Sequence, residues 1–145
     1  MRLDMRKKLI TNIMSLVILS SSLAIAHGED KPGPNGGFIR MPGAFHTELV
    51  AESANSVKVF LLDLEWKNPS VNKSDVQITH NNSKTKAKCK IKENFYICVF
   101  PKSVNLKKKG SLKVNSTREG QTGNEVSYPL PLKLEVVDDG HGGRH

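Results

Sequence analysis

Cysteine is scarce in this chain of 145 residues: there are two, Cys89 and Cys98, and neither stands in a Cys-x-x-Cys or zinc-finger spacing. That excludes the usual thiol-oxidoreductase pattern and a cysteine-based zinc module. Aromatic residues make up 6%, with Trp66, Tyr96 and Tyr128 as the only large polar ones. With no ribonucleoprotein motif and no recognition-helix pattern, no nucleic-acid partner is expected despite a formal charge of +8. No Ser-His-Asp, Cys-His or paired-acid arrangement stands out by spacing, so a non-enzyme is expected. A copper oxygenase built on an amino-terminal histidine would need a second placed imidazole and a substrate platform, and the few aromatics argue against it.

The one long apolar run, Leu9 to Leu23, follows Arg2, Arg6, Lys7 and Lys8 and precedes Ala24-Ile25-Ala26. This order reads as an export signal over residues 1 to 26, cut after Ala26. The run is short for a bilayer span, and no cysteine lies near the cut to take a lipid. A periplasmic or secreted protein with no transmembrane segment after processing is therefore expected. Processing would remove those four basic residues and Asp4, taking the formal charge from +8 to +5. His27 would become the first residue, offering an amine and a ring nitrogen together, a ready chelate for copper-like ions.

What remains is of single-domain size and lacks any sustained helical stripe. Alternating or short apolar runs bounded by turn residues predict strands at Phe38 to Met41, Phe45 to Ala51, Val57 to Trp66, Val76 to His80, Thr85 to Ile91, Phe95 to Phe100, Leu112 to Ser116 and Tyr128 to Val137. The expectation is an all-β fold, a single immunoglobulin-like β-sandwich over residues 38 to 137. Its flanks, a Gly/Pro-rich segment at 27 to 37 and a Gly/His-rich tail at 138 to 145, are expected to be flexible. Pro129 and Pro131 place the last strand at an edge or at a bend.

A two-residue turn at Glu93-Asn94 pairs Lys92 with Phe95, Ile91 with Tyr96, Lys90 with Ile97 and Cys89 with Cys98. The cysteines then fall in the closer, non-hydrogen-bonded class of antiparallel pair, which predicts a disulfide. The same alternation throws Lys84, Lys86, Lys88, Lys90 and Lys92 to one face. Such a comb can dock on an anionic partner, an envelope protein or an anionic membrane surface, or it can guard an edge strand while its stems lie over Phe95, Ile97 and Val99.

In Phe45-His46-Thr47-Glu48-Leu49 the apolar residues face the core, so His46 and Glu48 are expected to point outward together, roughly 6.6 Å apart along the strand. Imidazole and carboxylate can converge on one copper or zinc ion across that distance. A tight hairpin at Pro42-Gly43 would add the Met41 thioether, the glycines at 33, 36 and 37 would let His27 fold back, and His141 in the tail could complete the site. His80, before Asn81-Asn82, reads as a turn residue.

The run Pro32-Gly33-Pro34-Asn35-Gly36-Gly37, then His46-Thr47-Glu48-Leu49-Val50 and Val57 to Asp63, resembles small exported bacterial proteins with a Gly-Pro-His-Gly-Gly segment followed by His-x-Glu-Leu-Val, found with heavy-metal efflux systems. Asn35 stands where that pattern has histidine. The resemblance implies His46 and Glu48 as metal positions. A fainter similarity, carried by His27 and Asp139-Gly140-His141, is to periplasmic copper carriers with an immunoglobulin-like fold. Together these lead to an exported, non-catalytic metal-binding or metal-handling protein, copper ahead of zinc. The alternative is a cell-envelope interaction module docking through its basic β-face.

Overall fold

A computed structural model describes residues 31–132. The proposed export signal, His27, His141 and residues 133–137 of the expected last strand lie outside them. Ten strands form: β1 (Phe38–Arg40), β2 (His46–Ser53), β3 (Ser56–Leu62), β4 (Asp75–His80), β5 (Thr85–Lys86), β6 (Lys88–Lys92), β7 (Phe95–Val99), β8 (Gly110–Arg118), β9 (Gln121–Thr122) and β10 (Val126–Leu130). They make two antiparallel sheets, β1-β2-β3-β7-β6 and β10-β8-β4-β5, with β9 pairing the end of β8. The fold is an all-β sandwich, as the alternation predicts.

Period-two patterning builds the core. Leu49, Val57, Val59, Leu61, Tyr96 and Cys98 from the first sheet meet Val76, Ile78, Leu112, Val114, Tyr128 and Leu130 from the second. Phe45, Phe100, Val104 and Leu106, from the connecting segments, join the same cluster. Tyr128 is fully buried and crosses between the sheets: its hydroxyl donates to the Thr47 carbonyl at 2.9 Å and lies against the Thr47 hydroxyl. Burial pushes this phenol well above its ordinary value, against a smaller opposing effect of the Thr47 hydrogen bond. Proline is tolerated in β10 because that strand is the edge of its sheet, with Pro129 opposite Ser111.

The expected strands are found with shifted bounds, and three depart further. Val57 to Trp66 is cut at Leu62, because the Asp63 carboxylate takes the Glu65 and Lys67 N–H groups at 2.9 and 2.8 Å and closes a turn. Trp66 and Asn68 there adopt φ of 63° and 51°. Thr85 to Ile91 is two strands in different sheets: Ala87 N–H donates to the Ile78 carbonyl, and the chain then crosses from β4 to β7. The last strand, expected over Tyr128 to Val137, begins at Val126 and stops at Leu130, before Pro131.

Candidate functional site

The outer face of the first sheet carries the residues singled out from sequence. Alternation along β2 does send His46 and Glu48 to the side away from the main core, since Thr47 and Leu49 take the inner side. The expected exposure is overturned: Glu48 is 0% exposed and His46 5%. A second apolar cluster of Ile39, Phe60 and Leu62, joined by Val50, Trp66 and Phe95, packs on this face. Two coverings seal it, and neither follows from local periodicity.

The first covering is the glycine-rich segment, expected to be a flexible linker. Residues 33–37 close a turn in which Gly36 N–H donates to the Gly33 carbonyl and Gly33 N–H to the Gly37 carbonyl, both at 2.9 Å. Pro34 and Gly36 occupy the second and fourth turn positions, where such residues are favoured. The Glu48 carboxylate fills this turn: Asn35 N–H and Gly37 N–H donate to Oε1 at 2.8 and 2.9 Å, and Asn35 Nδ2 donates to Oε2 at 2.9 Å. A β-carbon at Gly33 would stand 2.5 Å from the Glu48 carboxyl, and one at Gly37 would clash with the Leu49 carbonyl oxygen. These two glycines are therefore required by close approach.

The second covering is the Asp63 turn. His46 Nδ1 lies 3.0 Å from the Asp63 carbonyl oxygen, and Trp66 Nε1–H donates to His46 Nε2 at 3.3 Å. The tautomer with its proton on Nδ1 satisfies both contacts. Trp66 meets the imidazole edge-on, with ring centroids 5.8 Å apart. The Lys67 N–H, ahead of the Asn68 amide, the Glu65 N–H and the Arg118 charge, holds the Asp63 carboxyl below its usual range, against a cost of desolvation. Arg118 ties the turn to β3 by donating to the Leu61 and Asn68 carbonyls.

Both His46 nitrogens and both Glu48 oxygens are thus engaged by the protein's own groups. The β1–β2 ladder ends at Arg40–Thr47, so no tight hairpin forms at Pro42-Gly43, and Met41 sits beyond the last pair, 54% exposed. Among the described residues, no group of three or more His, Cys, Asp or Glu side chains is placed to hold a metal ion. His80, expected as a turn residue, ends β4, and its Nδ1 lies 2.7 Å from the Ser83 hydroxyl in the turn that follows.

The hairpin forms in the expected register, from Lys92–Phe95 to Cys89–Cys98, and the two cysteine sulfurs are bonded with Cα atoms 4.0 Å apart. Glu93 takes φ 55° in its turn. The lysine comb is divided. Lys84, at φ 57°, turns back to give its ammonium to Asn81 Oδ1 at 3.0 Å. Lys86, Lys88 and Lys90 instead rim a groove of about 400 Å³ floored by Ile97, Val99, Phe100 and Pro101. Lys92 lies further along the same face, at the Phe95 end of the hairpin. Phe95 stacks on Phe60 with centroids 4.8 Å apart, and Lys58 Nζ stands 5.8 Å from the Phe95 ring centre. The ion pairs among the described residues, Lys113–Glu125 and Arg118–Glu119, involve none of these lysines.

Asn35, Asp63 and Trp66, which complete the buried pair, are not among the site residues the sequence points to: Asn35 enters there only as the residue in place of a histidine, Asp63 as the end of a stretch, and Trp66 as a strand end and a large polar aromatic. The Pro-Asn-Gly turn signal was the one available hint to Asn35. Comparison with protein-family models, curated proteins and solved structures gives no match.

Proposed function

We propose that this protein is a non-catalytic binding module of the cell envelope that docks an anionic partner through the basic outer face of its first sheet. The carrying observation is the groove in which three lysines, Lys86, Lys88 and Lys90, in no ion pair among the described residues, surround an apolar floor. Such a surface attracts negative charge at a distance and rewards a partner that also buries apolar area. The disulfide agrees with an oxidising compartment, and among the described residues no helix is long and apolar enough to cross a membrane.

The strand order supports the immunoglobulin-like reading. With β1 set aside, β2-β3-β7-β6 against β10-β8-β4-β5 follows the A-B-E-D against G-F-C-C′ order of that fold. Fold alone assigns no chemistry. The metal-handling reading loses its main support, because an ion at His46 and Glu48 would have to displace the Asn35, Gly37, Asp63 and Trp66 contacts.

The test is retention on immobilised polyglutamate in a salt gradient. Replacing Lys86, Lys88 and Lys90 by serine is expected to move elution to clearly lower salt. Replacing Lys107, Lys108 and Lys109, an exposed run elsewhere with the same charge, is expected to move it little. Equal shifts for the two triple variants would reduce the effect to net charge and overturn the proposal.

A further inference from the structure

Among the described residues, strand β6 is an edge of the first sheet and pairs with β7 alone. Its backbone polarity is fixed by the register. Cys89–Cys98 is a close, non-hydrogen-bonded pair with Cα atoms 4.0 Å apart, so the alternation gives the bonds to β7 to Lys88, Lys90 and Lys92. The N–H and C=O groups of Cys89 and Ile91 therefore point away from the sheet, along an open edge. Side chains divide the same way: Lys88 and Lys90 stand over the groove, whereas Ile91 is on the opposite face and 58% exposed. One strand thus offers main-chain donors and acceptors with no strand partner among the described residues, a positive row on one side and an exposed apolar side chain on the other.

We propose that the anionic partner is an extended acidic peptide segment that adds to β6 as an antiparallel strand, an inference that rests on the docking reading above. Residues of the incoming strand that lie opposite Lys88 and Lys90 share the lysine face and are acidic. Those opposite Cys89 and Ile91 share the other face and are apolar, and their N–H and C=O groups close the ladder. Charge complementarity selects the partner, because the same lysines repel a second copy of β6. A lipid surface could use the ammonium groups but would leave the Cys89 and Ile91 backbone groups without strand partners.

The experiment is calorimetric titration of the disulfide-bonded protein with a capped peptide of seven alternating glutamates and valines, beside two N-methylated forms and vesicles of phosphatidylglycerol. The unmodified peptide is expected to bind one to one, and Lys86→Ser, Lys88→Ser, Lys90→Ser to weaken it about tenfold or more. Methylating the valine nitrogens, which face β6, is expected to cost about tenfold or more, while methylating the glutamate nitrogens leaves binding nearly unchanged. Equal binding of the two methylated peptides would overturn strand addition. Lysine-dependent binding of the vesicles with none of the peptide would overturn it too, while leaving anionic docking in place. No lysine-dependent retention on polyglutamate would remove the docking reading itself.

Discussion

Glu48 shows how one side chain can be read correctly in direction and wrongly in role. A fully buried carboxylate is tolerated only when its oxygens are satisfied, and here three N–H groups converge on it from a turn eleven to thirteen residues upstream. Glu48→Gln keeps the shape but presents an NH₂ group to donors. It is expected to cost about 1–3 kcal/mol in a denaturant titration. Asp63 carries a different signature. Its carboxyl is held below the ordinary value of 3.8 in the folded state, so the unfolded chain takes up the proton first as pH falls. Its contribution is present above about pH 4 and lost as pH drops through the lower folded value. Melting temperatures of the wild type and Asp63→Asn should therefore differ at neutral pH and converge in acid.

At the scale of elements, the β6–β7 hairpin was legible residue by residue, because a two-residue turn fixes register and register fixes which cysteines meet. The disulfide spans a sequence separation of nine, a small ring. Its reduction is expected to remove roughly 2–3 kcal/mol of stability, read as a lowered denaturant midpoint. The neighbouring β5–β6 run was not legible as two strands, since alternation records which side a residue faces and not which strand it pairs with. Thr85 to Ile91 keeps its period across Ala87 while changing sheets. The same limit explains the misread exposure of His46 and Glu48. Period two identified their face, but their cover comes from residues 33–37 and from the Asp63 turn. A glycine-rich stretch reads as a linker until close approach to Glu48 and Leu49 gives its glycines a steric reason.

Across the whole molecule, the two faces of the first sheet do different work. The inner face joins the sandwich core, with Tyr128 and Thr47 linking the layers. The outer face is divided along its width: the β1–β3 side is sealed over Ile39, Phe60 and Leu62, and the β7–β6 side stays open beneath lysines. Sealing spends the histidine and the carboxylate on structure, which moves the centre of interest from the pair the sequence favours to the open edge. Amide chemical shifts of the isotope-labelled protein, followed as polyglutamate is added, test this division most directly. The account predicts changes concentrated at residues 86–91 and 97–100, with His46 and Glu48 unmoved. Changes spread evenly over all surface lysines, or centred on Lys107 to Lys109, would contradict it.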